Sequence, residues 1–289
     1  MRERIQNLRP FDGVASNGKP TVNIQAPAPM RAHLIEVEYQ SDNAGTVQRR
    51  NKATMLAEID YVELYINNKL QRKLEIAKLF EDWELRGNTV EDGIIPIAFS
   101  RDERTLSVER DATAAFLGVG DTFRVDVKLK ASTDPRLTAW IIIEPFDDAN
   151  DYAELRDILQ KRRGMRQLIE TVRTDTVNVA ATGKLTFSLS GQGRDISFIK
   201  FRTTNCTYMT VYRGTEKKWE GRPADFDRML DQKVYVPQAG VIHWSPEAFG
   251  GGRVPDWYQF RGKLLRFELE MSAAVPFDAE IYEVGDAVR

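Results

Sequence analysis

The two halves of this 289-residue chain repeat the same order of seven short segments, and this repeat restricts the possible folds more than any other feature. The separation of equivalent residues falls slowly, from 147 between Tyr65 and Tyr212 to 139 between Glu144 and Glu283. Such a drift is expected when a duplicated domain keeps its elements while its loops change length. The paired segments are GKPTVNIQA with GKLTFSLSG, AHLIEVEYQ with DISFIKFRT, VELYINNKL with MTVYRGTEK, AKLFEDWEL with PADFDRMLD, GIIPIAF with GVIHWSP, GDTFRVDVKLK with GKLLRFELEMS, and TAWIIIEP with FDAEIYEV.

Most of these segments alternate apolar and polar residues, which is typical of strands with one buried face. In DTFRVDVKLKA, the apolar residues Phe123, Val125, Val127 and Leu129 fall on one face. Each half holds about eight such strands and few βαβ signals, so a sandwich of two antiparallel sheets is the natural solution. We therefore predict an all-β protein of two tandem jelly-roll β-sandwiches, a double jelly roll, each with a short inserted helix.

The helix of the first half is predicted within Lys69–Leu85, where apolar residues recur at helical spacing and Gly87 follows as a stop signal. In the second half, PADFDRMLD occupies the corresponding place. Counting strand segments along each half, we place the helix after the third or fourth strand.

The boundary between the two domains is predicted where the strand pattern stops at Asp151. The segment that follows carries a basic cluster, QKRRGMR, which either contacts an anion or a nucleic acid or is a solvated linker; no aromatic residues interleave with the charges, which favours the linker. The predicted divisions are an N-terminal arm (1–10), an N-terminal jelly roll (11–150), a linker (151–164) and a C-terminal jelly roll (165–289).

Composition and charge exclude several classes of function. The formal net charge is −2 and the sequence pI is about 5.9, so the surface as a whole has no attraction to a polyanion, and we expect no direct sequence-specific binding to nucleic acid. The N-terminal residues include no apolar h-region, so we expect no secretory signal, and no run of eighteen apolar residues suggests a membrane span. Cys206 is the only cysteine and is expected to be a small buried hydrophobic residue in a chain made in a reducing compartment.

No catalytic or metal-binding motif stands out, so we predict that the protein is not an enzyme and holds no cofactor and no metal. His33 and His243 lie outside any HExxH or HxH pattern and are expected to be structural. GQGR at 191–194 lacks the rest of a nucleotide-binding fingerprint. The acidic run at 147–151 lacks the spacing of an EF-hand and is interpreted as a linker.

Two other functions remain open at this point. A two-domain glycan-binding or glycan-cleaving protein would need two carboxylates about 5 to 10 Å apart in a cleft if it were a hydrolase. Four carboxylates on strands could converge in such a cleft: Glu63, Glu144, Glu268 and Glu270. Their alternation with apolar neighbours favours solvent-facing positions instead. A β-sandwich adhesion module is the third interpretation, and it would lack strong self-association.

The segments of the first half resemble a known family at about residues 8–145. LRPFDGVASNGKPTVNIQAP, IDYVELYINNKLQRKL, GIIPIAFSRDE, FLGVGDTFRVDVKL and STDPRLTAWIIIEP look like the N-terminal jelly roll of the major capsid proteins of tailless icosahedral bacteriophages with an internal membrane, corticovirus-type above all. The second half resembles the family more in the order of its elements than in its residue identities. One departure is Asn67-Asn68, where the family turn usually carries Asn-Gly; it is compatible with a positive-φ turn.

The resemblance implies a major capsid protein whose homotrimers, with two jelly rolls per subunit, have a pseudo-hexagonal outline and tile an icosahedral shell. Implied partners are neighbouring capsid trimers, a vertex (penton) protein, and inner-membrane proteins or lipid. The implied location is the capsid shell of the virion, assembled in the host cytoplasm.

The resemblance also assigns roles to two parts of the chain. The N-terminal arm would present Arg2, Arg4 and Arg9 to anionic lipid head groups or to neighbouring subunits. Outward loops would include parts of 40–54 and 247–259, where Trp257 and Tyr258 beside three glycines either form a receptor or glycan platform or pack into an interface.

Overall fold

The computed structural model describes residues 3–26, 30–100, 113–117, 120–145, 168–189, 195–232, 235–246 and 264–286. The chain divides into two compact units. Unit 1 comprises Met1–Glu84, Asn88–Ile169 and Asp286–Arg289, and unit 2 comprises Leu85–Gly87 and Glu170–Gly285. The predicted linker at 151–164 and its basic cluster lie outside the described residues, so the domain limits proposed from the sequence stay a prediction.

Eighteen strands and three helices make up the described part of the chain. The strands of unit 1 are β1 (Glu3–Pro10), β2 (Thr21–Gln25), β3 (Met30–Asn43), β4 (Thr46–Arg49), β5 (Ile59–Ile66), β6 (Lys69–Glu75), β7 (Ile94–Ala98), β8 (Ala115–Leu117), β9 (Thr122–Leu129) and β10 (Pro135–Pro145). Those of unit 2 are β11 (Leu168–Val177), β12 (Gly183–Leu189), β13 (Asp195–Phe201), β14 (Cys206–Arg213), β15 (Glu216–Gly221), β16 (Ile242–Trp244), β17 (Leu265–Met271) and β18 (Phe277–Asp286). The helices are α1 (Lys52–Glu58), α2 (Ile76–Leu85) and α3 (Pro223–Asp231).

Both units have the same strand order. In unit 2 the sheets are β11-β18-β13-β16 and β12-β17-β14-β15. In unit 1 the corresponding sheets are β1-β10-β3-β7 and β2-β9-β5-β6, and the short strands β4 and β8 also pair with β3. If the eight strands common to both units are numbered along the chain, each unit consists of a 1-8-3-6 sheet and a 2-7-4-5 sheet. This is the two-sheet arrangement of a jelly roll, and the predicted fold class is confirmed.

All seven repeated segment pairs occupy equivalent elements. GKPTVNIQA and GKLTFSLSG contain the second common strand, and TAWIIIEP and FDAEIYEV contain the eighth. AKLFEDWEL and PADFDRMLD contain α2 and α3. These helices follow the fifth common strand in both units, so the predicted insertion after the third or fourth strand was wrong.

The helix predicted within Lys69–Leu85 is a strand followed by a helix. The first part, Lys69–Glu75, is β6, and α2 begins only at Ile76. The turn between β5 and β6 returns the chain beside β5, because Asn67 and Asn68 have φ values of 49° and 63°. The backbone of this segment pairs with β5, and this pairing outweighs the helical spacing of its leucines. One of these leucines, Leu70, is 44% exposed.

One helix gave no clear signal in the sequence. Helix α1 is seven residues long, and its N-cap Asn51 accepts a hydrogen bond from the Thr54 backbone N at 2.8 Å. Met55 is its one buried residue, so the segment has no apolar periodicity to detect.

The core of each unit lies between its two sheets. In unit 2, Phe201 and Trp244 from one sheet both pack edge-to-face on Phe267 from the other, with ring centroids 5.2 and 5.1 Å apart. In unit 1, Val37 and Val125 are fully buried on the inner faces of their sheets. The opposite, outer faces of the 2-7-4-5 sheets carry polar residues, and these faces hold the candidate site.

The positive φ of Asn68 generates the first prediction. Glycine adopts this conformation freely, whereas a residue with a Cβ and no polar side chain pays a steric cost. We expect Asn68→Gly to leave the free energy of unfolding unchanged or higher, and Asn68→Ala to lower it by about 1 kcal/mol. Urea unfolding followed by tryptophan fluorescence measures both. A lower free energy of unfolding for Asn68→Gly than for Asn68→Ala would contradict the turn geometry.

Candidate functional site

The outer face of the 2-7-4-5 sheet of unit 1, which we call polar face 1, holds an ion-paired cluster. Lys19 lies just before β2 and reaches across two strands, with its Nζ 2.6 Å from Glu63 Oε2 and 3.1 Å from Asp126 Oδ2. Tyr65 donates its hydroxyl to Glu63 at 2.9 Å, and the guanidinium of Arg124 lies 3.7 Å from the centre of the Tyr65 ring. The cluster thus ties together the second, seventh and fourth common strands.

The same face of unit 2, polar face 2, repeats this cluster at equivalent positions. Lys184 Nζ lies 2.7 Å from Glu268 Oε2. The Tyr212 hydroxyl donates to Glu268 at 3.2 Å, and the Arg266 guanidinium lies 4.2 Å from the centre of the Tyr212 ring. Four residues of the cluster therefore recur in both units. They are a lysine before or within the second common strand, an acid and an arginine on the seventh, and a tyrosine on the fourth.

Cross-strand register shows that the two clusters are equivalent. In unit 1, Asp126 lies opposite Thr21 and Glu63. In unit 2, Glu268 lies opposite Thr186 and Thr210. The acid thus has the same threonine neighbour on the second strand in both units, although Thr210 replaces Glu63 on the fourth.

The electrostatics of the two clusters keep Glu63 and Glu268 ionised. Burial alone raises the pKa of Glu63, but the hydrogen bonds from Lys19 and Tyr65 outweigh it, and the pKa lies below its ordinary value of 4.5. The hydrogen bond to Glu63 raises the pKa of Lys19. The hydrogen bond from Lys184 likewise lowers the pKa of Glu268. A general acid of a glycosidase needs a raised pKa, so these carboxylates are suited to ion pairing and not to proton donation.

The other strand carboxylates give no support to a hydrolytic site. Glu270 is exposed on polar face 2, and the side chain of Glu144 lies outside the described part of the chain. Glu63 belongs to unit 1, whereas Glu268 and Glu270 belong to unit 2. Within its own unit, Glu63 pairs with Lys19 and Glu268 pairs with Lys184.

Of the residues predicted to face lipid or neighbours, only part of the N-terminal segment is described. Residues 3–10 form strand β1, which pairs with β10; Arg4 lies opposite Ile142 and Arg9 opposite Ala139. The segment predicted as an arm is therefore the first common strand of unit 1 from Glu3 onward. Arg2 lies outside the described residues, as do Trp257 and Tyr258.

The predicted loop at 40–54 is described and forms the end of β3, the turn to β4, and the start of α1. Strand β4 is exposed throughout, and Val47 is 40% exposed. The glycine-rich loop at 247–259, the GQGR segment and the acidic run at 147–151 lie outside the described residues.

Both histidines and the cysteine are buried in strands. His33 is 1% exposed in β3, and His243 is fully buried in β16 with its Nδ1 3.2 Å from Asp227 Oδ1. Cys206 is buried in β14, as predicted, and its burial raises the thiol pKa to about 11. The described residues contain no cluster of three or more acidic, histidine or cysteine side chains that could hold a metal, and no helix among them is long and apolar enough to cross a membrane.

Sequence reasoning did not find the repeated cluster, although its signals were present. GK-x-T occurs at 18–21 and again at 183–186, and both tyrosines of YVELY recur 147 residues later in YMTVY. What could not be read from the sequence is that Lys19 reaches the acids of two other strands, because this depends on strand order and register.

Comparison with known proteins agrees with the duplicated fold. The family model for the viral coat protein P2 N-terminal domain matches residues 5–143, and that for the P2 C-terminal domain matches residues 169–286. The major capsid protein P2 of bacteriophage PM2 superposes with a TM-score of 0.72 at 14% identity, covering 100% of this chain and 99% of that one. No curated protein sequence matches the chain.

More distant capsid proteins share the fold. The structure of Sulfolobus Turreted Icosahedral Virus gives a TM-score of 0.55 at 9% identity, covering 98% of this chain and 90% of that one. The PBCV-1 virus capsid gives 0.54 at 12% identity, covering 98% and 94%.

Two consecutive jelly rolls of identical strand order, matched end to end by capsid proteins, define the double jelly-roll class of viral coat proteins. The two domain matches together cover most of the sequence, and the chain belongs to the viral coat protein P2 family. It is a structural protein of the virion and not an enzyme.

The lowered pKa of Glu63 predicts how stability depends on pH. A carboxylate with a folded-state pKa below its ordinary value adds stability above pH 4.5, and this contribution is lost as the pH falls through the folded-state value. We expect Glu63→Gln to lower the free energy of unfolding by about 1–2 kcal/mol at pH 7 and by progressively less below pH 4.5. Urea unfolding of both proteins at a series of pH values measures this.

Glu75→Gln is the matched control, because Glu75 lies on β6 of the same sheet with its side chain 65% exposed. We expect it to differ little from the natural protein at any pH. A difference between Glu63→Gln and the natural protein that does not shrink in acid would contradict the ion-pair assignment.

Proposed function

We propose that this coat protein is the major capsid protein of a tailless bacteriophage, and that it assembles as pseudo-hexagonal homotrimers which tile an icosahedral shell. The observation that carries the proposal is the shared 1-8-3-6 and 2-7-4-5 strand order of the two units. A chain that contains the same fold twice offers two similar building blocks to its neighbours.

The duplication suits a hexagonal lattice for a geometric reason. Three copies related by a threefold axis contain six jelly rolls, so a trimer can occupy a position with six neighbours although its true symmetry is threefold. The repeated polar clusters support this interpretation, because they give the two units a common surface feature in addition to a common strand order. A stand-alone adhesion module would have no need for such equivalence.

The remaining partners are proposed on the same basis. We propose that trimers contact one another, a vertex (penton) protein, and inner-membrane proteins or lipid, and that the shell assembles in the host cytoplasm. Arg2, Arg4 and Arg9 are our candidates for anionic lipid or neighbouring subunits. Trp257 and Tyr258 are our candidates for an outward loop.

The mass of the purified protein tests the trimer. The chain has a mass of 33.0 kDa, so we expect a species of three times that mass by light scattering at micromolar concentration. Class averages from electron microscopy should show a hexagonal outline. A protein that stays monomeric at every concentration, or one that forms only dimers, would overturn the proposed function.

Substitution, and not deletion, is the appropriate test of the N-terminal arginines, because residues 3–10 pair with β10 and their removal would take away an edge strand. We expect Arg4→Gln/Arg9→Gln to keep the trimer but to weaken flotation with anionic vesicles or the association of trimers, and the affected assay identifies which surface the arginines meet. Arg136→Gln, half exposed on β10, is the control and should change neither. Unaltered behaviour of the double variant in both assays would refute the assignment.

A further inference from the structure

The repeated residues of the two polar faces are of the types that dominate protein interfaces. Tyr61 and Tyr65 of β5 are equivalent to Tyr208 and Tyr212 of β14, and all four lie on the outer face and not in the core. Tyr208 is 38% exposed. Tyrosine and arginine are enriched at the centres of interfaces, where they supply much of the binding energy.

The fold alone does not explain why these residues recur. The core of each unit is made by the inner faces of its sheets, and the sequences of the two inner faces have diverged, with Val125 in one unit and Phe267 in the other at equivalent positions. Arg124 and Arg266, one position away on the outer face, are identical. Tyrosine and arginine positions that stay the same on the outer face while core positions change indicate that both faces meet a similar partner.

Two charged positions beside the repeated residues have opposite signs on the two faces. On the seventh common strand, Lys128 of polar face 1 corresponds to Glu270 of polar face 2, two residues beyond the equivalent acids of the clusters. On the fifth, Lys73 lies opposite Glu63, whereas Glu220 lies opposite Thr210 at the equivalent place. The side chains of Lys73 and Glu220 are 52% and 45% exposed.

This reversal selects unlike faces as partners. Two copies of polar face 1 in contact would bring these lysines together, and two copies of polar face 2 would bring the glutamates together. Contact between unlike faces puts lysines near glutamates, and charge complementarity of this kind fixes which surfaces associate.

We propose that polar face 1 of one copy of this chain packs against polar face 2 of a second copy, with the tyrosines and arginines at the centre and the reversed charges setting the pairing. The identity of the partner as a second copy rests on the proposed assembly function. In this interface Lys73 and Lys128 act as specificity-determining residues together with Glu220 and Glu270.

Charge reversal on the full-length protein tests the interface. The variants are Lys73→Glu/Lys128→Glu, Glu220→Lys/Glu270→Lys, and all four changes in one chain. We expect each pair to weaken self-association about tenfold or more, and the four changes together to restore it to within about threefold of the natural protein. Sedimentation velocity over a concentration series at low salt measures the association, and the expected effects diminish at high salt.

One control variant and one set of replacement variants accompany this test. Glu91→Lys reverses one charge on an exposed residue that belongs to neither face and should leave association unchanged. Lys128 Nζ donates to the Asn17 carbonyl at 2.7 Å, so its loss could disturb a loop. If circular dichroism shows a folding defect, the single changes Lys73→Glu and Glu220→Lys, both at exposed positions, and their combination replace the paired variants.

The outcomes separate this inference from the proposed function. If the natural protein forms trimers and shells while the charge variants associate normally, or if the four changes give the summed loss of the two pairs, the inference is overturned and the proposed function stands. A natural protein that never associates overturns both.

Discussion

Burial of the inner faces of two sheets against each other is the interaction on which each unit depends. Alternating residues such as Val37 of β3 and Val125 of β9 make the core, and their neighbours point away from it. The strand order determines which outward residues meet. Because the 2-7-4-5 order places β9 between β2 and β5, Lys19 can bind acids of both β9 and β5.

The polar faces stabilise each unit and also carry the residues that recur on its surface. Lys19 joins three strands while its acids stay largely buried, and such a partly buried pair is destabilising to break because one charge would be left without a partner. The equivalent lysine of unit 2, Lys184, is 56% exposed in its side chain, and its pair is therefore expected to contribute less. The repeated arginine–tyrosine contacts lie on the same surface, where they remain accessible to a neighbour.

Much of the fold was predictable because the two halves of a duplicated chain can be compared with each other. The seven segment pairs identified six of the eight common strands and the inserted helix, and the alternation of β9 identified its buried face. A helix does lie within Lys69–Leu85, but its start was predicted too early because the leucine spacing of β6 also fits a helix. The turn at Asn67-Asn68 instead makes β5 and β6 a hairpin. Helix α1 was missed because a two-turn helix with one buried residue leaves no periodic signal.

The sequence by itself determined the double jelly roll, because period-two alternation and the repeated order of segments can be read along the chain. The resemblance of its segments to a family of capsid proteins indicated the class of function. Only the tertiary structure decided that residues 3–10 form an edge strand, and that Lys19 and Lys184 belong to equivalent clusters. These contacts join residues as far apart in sequence as Lys19 and Asp126. Their existence depends on sheet order and register, which no short stretch of sequence specifies.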